Sequence, residues 1–133
     1  MAKYVFPAIF TPEEGGYSIL LPDIENCFTE GYDLTDAMEN AKDVLCLMLY
    51  DLERNNQPIP AASRIADIQQ HIIGDQFITL IACDTMEYRK FHENRAVKKT
   101  LSIPSWLNEM AESAGVNFSS TLQEALKQQL NIQ

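Results

Sequence analysis

Residues 98–126 read Lys-Lys-Thr-Leu-Ser-Ile-Pro-Ser-Trp-Leu-Asn-Glu-Met-Ala-Glu-Ser-Ala-Gly-Val-Asn-Phe-Ser-Ser-Thr-Leu-Gln-Glu-Ala-Leu, and this stretch decides how the chain folds. Its hydrophobic spacing predicts one short strand followed by two short helices, with a stop or capping residue at each junction. A unit of this size is too small to bury a hydrophobic core alone. The stretch therefore predicts a homodimer in which two copies of the strand pair.

The strand is expected over residues 97–103, where polar and apolar side chains alternate. One face carries Lys98, Thr100 and Ser102, which could read base edges if a two-stranded ribbon entered the DNA major groove. Lys99 lies on the other face and could extend to a DNA phosphate. The apolar residues expected to form the dimer core are Leu101, Ile103, Leu107, Leu122 and Leu126.

The two helices have clear boundaries. Pro104 ends the strand and suits a first helical turn, and Gly115 suits the end of the first helix. Asn117 suits the N-cap of the second helix. The free backbone amides at that helix start could hold a DNA phosphate. They belong to Asn117, Phe118, Ser119 and Ser120. The same pattern is also compatible with a dimerisation unit whose strand face is merely solvated.

Residues 96–131 resemble a ribbon-helix-helix domain from end to end. The shared motif is an alternating strand, a proline, a helix, Gly115-Val-Asn-Phe-Ser119 and a second helix. The resemblance implies a homodimer that binds double-stranded operator DNA, with Lys98, Thr100 and Ser102 at the base-reading positions. Lys99 departs from the family pattern, in which an apolar residue is usual.

The first part of the chain predicts an α+β unit with the order βββαβ. Its expected strands cover residues 4–10, 17–21, 27–31 and 77–83, and its expected helix covers residues 33–54. Asp33 suits the N-cap of this helix, and apolar residues recur along it at i, i+3, i+4 and i+7 spacing. Pro7 suggests an edge strand or a bend. The strand at 77–83 carries apolar residues on both faces and is expected to be buried on both. Residues 84–95 are expected to be a linker, either helical or loose, between this unit, residues 1–83, and the second unit, residues 96–133.

The net charge of −9 is confined to the first unit. Residues 1–83 hold four bases against thirteen acids, whereas residues 84–133 hold six of each. An acidic unit repels phosphate and attracts basic proteins, although the charge could also serve solubility alone.

Three segments of this unit resemble the HicB antitoxin family. They are Tyr4-Val-Phe-Pro-Ala-Ile-Phe10, Gly16-Tyr-Ser-Ile-Leu-Leu-Pro-Asp-Ile-Glu-Asn-Cys-Phe-Thr-Glu-Gly31 and Thr35-Asp-Ala-Met-Glu-Asn-Ala41. HicB proteins often carry a ribbon-helix-helix tail in this order, so the two resemblances cover most of the chain. Two departures are Glu25-Asn26, where Pro-Gly is common, and Asp36, where glutamate is usual.

The HicB resemblance implies a partial ribonuclease-H-like fold for residues 1–83. It also implies an antitoxin that inhibits a HicA-like toxin, a small basic mRNA-cleaving ribonuclease, and represses its own operon. Asp23 and Glu25 are hypothetical toxin contacts. Contacts between first units, added to ribbon dimers, could give a tetramer. The alternative is a stand-alone ribbon-helix-helix repressor whose first unit senses a ligand or another protein.

No catalytic set, cofactor or metal site is expected. Asp23, Glu25 and Asp36 could hold Mg²⁺ if the first unit were a nuclease, but capping and solvation explain these carboxylates. Three cysteines without a CxxC pair argue against a disulfide framework or a zinc site and fit the cytoplasm. The sequence also contains no run of eighteen apolar residues and no signal peptide, so we expect no membrane association.

Overall fold

The computed structural model of the chain describes residues 2–132 and separates into two units between Arg95 and Ala96. The N-terminal unit contains β1 (Lys3–Glu13), β2 (Gly16–Leu20), β3 (Phe28–Gly31), α1 (Leu34–Arg54), α2 (Ile65–Gln69), β4 (Phe77–Asp84) and α3 (Thr85–His92). The C-terminal unit contains α4 (Ser105–Ser113) and α5 (Phe118–Gln129). The predicted α+β class is therefore confirmed, and the structure adds helices α2 and α3.

The core of the N-terminal unit lies between one face of the sheet and helix α1. All strands are antiparallel, in the order β3-β2-β1-β4. Strand β1 alternates, so Phe6, Ala8 and Phe10 point into the core. Helix α1 contributes the apolar stripe that its i, i+4 spacing predicts. Fully buried residues of that stripe are Ala37, Ala41, Leu45 and Leu49.

Helix α1 begins at a reciprocal cap. The Asp33 carboxylate accepts a hydrogen bond from the Asp36 N–H at 2.8 Å, as its position predicts. The Asp36 carboxylate in turn accepts one from the Tyr32 N–H at 3.0 Å. The two bonds resemble a capping box and fix the angle at which the chain leaves β3 for α1.

Strand β3 approaches the first turn of α1 so closely that only glycine fits at Gly31. A Cβ atom at this position would lie 2.4 Å from the backbone nitrogen of Ala37 and 2.5 Å from its Cα atom. Ala37 and Ala41 are themselves small and fully buried. The small residues Gly31, Ala37 and Ala41 therefore allow α1 to pack close to the sheet.

Pro7 lies in an interior strand, not at an edge. Strand β1 pairs with β4 along Lys3–Phe10, but its pairing with β2 extends only over Ile9–Glu13. The nitrogen of Pro7 faces the side where β2 has already ended, so no ladder hydrogen bond is lost.

Strand β4 is not buried on both faces, which corrects the expectation for residues 77–83. It is the last strand of the sheet. Ile81 and Cys83 face the core, whereas Leu80 is 51% exposed and Ala82 is also exposed. An apolar run indicates burial on both faces only when layers cover both faces of the sheet, and α1 covers one.

Of the two alternatives for the predicted linker, the structure shows the helical one: α3 occupies Thr85–His92, and the chain as far as Arg95 belongs to the N-terminal unit. Asp84 caps α3 by accepting hydrogen bonds from the N–H groups of Met86 and Glu87 at 3.0 and 3.3 Å. The ring of Tyr88 then packs against Tyr50 of α1, with ring centroids 5.2 Å apart.

A charged cluster fastens the end of α3 to α1. The Glu93 carboxylate accepts hydrogen bonds from the Tyr50 hydroxyl, from Arg54 at 2.7 Å and from Arg89 at 2.8 Å. The hydrogen bond from Tyr50 and the charges of Arg89 and Arg54 hold the pKa of Glu93 below its ordinary value of 4.5.

In the C-terminal unit the helices follow the predicted boundaries, but the described chain forms no strand over residues 97–103. A strand requires a hydrogen-bonding neighbour, and no described residue provides one. Gly115 ends α4 with a φ of +70°, a conformation that glycine adopts without strain. The Asn117 side chain caps α5 by accepting from the Ser120 N–H at 3.0 Å.

Replacing Gly31 by alanine should lower the free energy of unfolding by about 3 kcal/mol, because the added methyl group overlaps the backbone of α1. Urea denaturation at fixed protein concentration measures the change. Gly74→Ala is a control: its Cβ meets no atom within 4 Å, and its φ of +58° should cost only about 1 kcal/mol. Equal losses in the two variants would contradict the close approach.

Glu93→Gln should make folding stability less dependent on pH in the acidic range. The folded-state pKa of Glu93 is lowered, so its contribution is complete above 4.5 and disappears as the pH falls through the folded value. Urea titrations at about pH 6 and about pH 3 should therefore show a larger loss in the unmodified chain. Glu39→Gln removes the same charge at an exposed site of α1 outside this cluster and serves as the control. A loss of stability in Glu93→Gln as large as that of the unmodified chain would contradict this account.

Candidate functional site

The C-terminal unit has no buried side chain among its described residues. Three residues of the expected dimer core are half-exposed: Leu101 at 58%, Ile103 at 46% and Leu126 at 50%. Leu107 is also exposed, and Leu122 is partly covered. Without a core, a unit of this size cannot supply the apolar burial that offsets the entropy of folding.

The predicted DNA-reading residues Lys98, Thr100 and Ser102 are exposed, as is Lys99. The structure places them in a segment without regular secondary structure. Their division between two faces of a strand stays a prediction, because the described residues form no strand here.

The start of α5 offers fewer amides than the sequence suggested. The N–H of Ser120 is already bonded to the Asn117 side chain. The N–H groups of Asn117, Phe118 and Ser119 make no hydrogen bond within residues 2–132. These three amides are therefore the donors that a phosphate could use.

Asp23 and Glu25, the hypothetical toxin contacts, differ in their surroundings. Both Asp23 carboxylate oxygens accept from Ser63, one from its N–H at 2.8 Å and the other from its hydroxyl. Asp23 thereby ties the loop between β2 and β3 to the segment between α1 and α2. Glu25 is exposed and makes no hydrogen bond to the described residues, so of the two it is the more available to a partner.

An acidic groove of about 410 Å³ opens between the tip of the β1–β2 hairpin and the start of α1. Its residues include four carboxylates and two tyrosines: Glu13, Glu14, Glu30, Asp36, Tyr17 and Tyr32. This groove cannot be identified from the sequence alone, because its acids come from the hairpin, β3 and α1 and meet only in the folded chain. The adjacent pair Glu13-Glu14 before the hairpin glycines was the available signal.

The carboxylates suggested for a nuclease site do not form one. Residues 2–132 contain no group of three or more His, Cys, Asp or Glu side chains that could hold a metal ion. Asp23 bonds to Ser63, and Asp36 caps the turn before α1.

The cysteines are buried free thiols, and burial raises the pKa of Cys27 to about 11. The Cys27 thiol is therefore a poor nucleophile at neutral pH. Over the same described range, we find no helix with the length and apolar character needed to cross a membrane.

Comparison with known proteins gives a family match and several relatives. The family model described as the HicB-like antitoxin of bacterial toxin–antitoxin systems matches residues 6–126. An uncharacterised 14.9 kDa protein from the rep–hol intergenic region of Haemophilus phage HP1 (strain HP1c1) is 24% identical over 104 residues. The alignment covers 77% of this chain and 75% of the phage protein.

Solved structures show the same fold. A toxin–antitoxin complex from Streptococcus pneumoniae contains a chain with 24% identity and a TM-score of 0.59, over 96% of this chain and 99% of that one. The antitoxin HicB of Burkholderia pseudomallei has 16% identity and a TM-score of 0.55, over 92% and 96%.

Proposed function

This chain belongs to the HicB-like antitoxin family, and from that membership we propose that it inhibits a HicA-like ribonuclease toxin and represses its own operon as a DNA-bound dimer. As a member of this family it is an antitoxin and not an enzyme. The observation that carries the proposal is the extent of the family match, residues 6–126, which spans both units.

Charge supports the toxin-binding role of the N-terminal unit. The whole net charge of −9 lies in this unit. The expected toxin is a small basic ribonuclease whose surface binds RNA. An acidic unit can cover such a surface as RNA does, and opposite charge accelerates the encounter of the two proteins. We further infer that the βββαβ order of the unit represents a partial ribonuclease-H-like fold.

The C-terminal unit supports a ribbon-helix-helix dimer. Its two capped helices are preceded by an alternating segment that has no strand partner within the described chain. Its apolar side chains are exposed, and a second copy would cover them. Two-fold symmetry of such a dimer implies a palindromic operator. The free thiols fit a cytoplasmic location, where toxin, operon and antitoxin would meet.

Co-expression with the adjacent small basic open reading frame tests the antitoxin role. We expect growth rescue and a co-purifying complex with sub-micromolar affinity that weakens with salt, because exposed charges are screened beyond about 8 Å at physiological ionic strength. A non-toxic neighbour, or no complex, would favour the alternative of a stand-alone repressor with a sensing N-terminal unit.

Glu25→Lys should slow association with the toxin severalfold, because it reverses an exposed charge on the proposed contact loop. Glu109→Lys is the matched control, since it makes the same change of net charge on α4 of the C-terminal unit. Stopped-flow association rates distinguish the two. Equal effects would mean that only total charge matters and would exclude Glu25 from the contact.

The double variant Lys98→Ala, Thr100→Ala should bind operator DNA more weakly. Loss of one phosphate contact per subunit would lower the slope of log affinity against log salt by about 1 per contact. Loss of a guanine contact would instead cost about 1–3 kcal/mol at one base pair. Titrations at several salt concentrations separate these effects. Lys127→Ala, near the end of α5, controls for charge, and unchanged binding in the double variant would contradict the ribbon.

A further inference from the structure

We propose that the free edge of β4 pairs with the same edge of a second copy of this chain, so that two N-terminal units share one continuous antiparallel sheet. This interface is separate from the C-terminal dimer, and only the association of whole chains into larger assemblies rests on the proposed function.

The hydrogen-bonding pattern identifies which backbone groups of β4 are free. The Thr85 N–H donates to the Ala2 carbonyl at 3.0 Å, so these two residues form a hydrogen-bonded pair of the β1–β4 ladder. Such pairs alternate along an antiparallel ladder, and in this register the next ones involve Cys83, Ile81, Thr79 and Phe77. The residues between them direct their N–H and C=O groups away from β1. They are Asp84, at the end of the strand, and Ile78, Leu80 and Ala82, which together carry six such groups.

These six backbone groups lie at an open edge. Strand β4 ends the sheet, and the described residues form no hydrogen bond with the outward N–H and C=O groups of Ile78, Leu80 or Ala82. The opposite edge differs. Strand β3 has only four residues, and the Glu30 carbonyl accepts from the Asn40 side chain of α1 at 2.8 Å. A side chain of α1 thus bonds one carbonyl of the shorter β3 edge, whereas the described residues leave the longer β4 edge uncovered.

Over residues 77–83, strand β4 also lacks the features that prevent edge pairing, and its one charged residue, Asp84, stands at the strand end. Charged residues, prolines and bulges protect exposed edges. Residues 77–83 contain no charge or proline, and their pairing with β1 is continuous. Leu80 is 51% exposed at the centre of this edge. An apolar edge of this length favours strand addition.

A second copy of β4 satisfies every free group. With a two-fold axis at Leu80, this residue pairs with Leu80 of the second copy, and Ile78 pairs with Ala82 in both directions. All three pairs are of the hydrogen-bonded type, so the six outward groups of each copy are used. The same register places the flanking acids Asp75 and Asp84 opposite Thr85 and Gln76, so no two acids face each other. Two units of net charge −9 can thus meet at an uncharged edge.

Sedimentation of full-length variants tests the interface without relying on the C-terminal dimer. Leu101→Asp places a charge in the proposed C-terminal core and should leave association through β4 alone. We expect a mass of about twice 15.1 kDa for Leu101→Asp and of one chain when Leu80→Lys is added. Adding Leu20→Lys, a 46% exposed position of β2, should leave the double mass unchanged.

Two results would overturn the proposal: a monomeric Leu101→Asp chain under conditions where the unmodified chain associates, or an associated chain that Leu80→Lys leaves intact. Amide exchange gives a second readout, since the Leu80 N–H of the otherwise unmodified chain should be protected and should lose protection in Leu80→Lys. If the Leu80 N–H were protected from exchange only when the toxin is bound, the β4 edge would be a toxin-binding surface instead. A Leu101→Asp variant with unchanged mass and intact DNA binding would contradict the C-terminal dimer, and Leu80 exchange would still decide the β4 interface.

Discussion

The N-terminal unit depends on the close approach of β3 to the first turn of α1. Because Gly31 has no Cβ, the backbone of Ala37 can lie against the strand. The cap at Asp33 sets the direction of the helix, and Ala41 keeps it near the sheet one turn later. Leu45 and Leu49 then reach the core, and Asn40 reaches the edge of β3. One absent methyl group thus determines both the packing of the core and the protection of an edge.

Sequence reasoning predicted the elements whose signals are local. The period of apolar residues identified α1, and Asp33, Gly115 and Asn117 identified helix ends because each acts on neighbouring amides or on its own φ. It failed where distant partners decide the result. The apolar run of β4 does not reveal whether a second layer covers the outer face of the sheet. The polar residues 84–95 do not reveal that Tyr88 packs against Tyr50 or that Glu93 bonds to Arg54.

The candidate site shows the same limit. Lys98, Thr100 and Ser102 can be assigned to a face only by assuming the paired strand, because alternation has meaning relative to a neighbour. Asp23 was expected to be a solvated loop acid, but its carboxylate accepts a hydrogen bond from Ser63, forty residues away. The acidic groove was invisible because the hairpin, β3 and α1 each supply part of it.

The described part of the C-terminal unit has no buried side chains, so in the proposed dimer its folding would depend on association with a second copy. A unit that is stabilised only by association has a folded population that rises with the concentration of the chain. On dilution it opens, and an open segment is accessible to proteases while the N-terminal unit keeps its own core. In the proposed dimer, the DNA-binding unit would therefore respond to the amount of chain present: it would be folded at high concentration and open to proteases at low concentration.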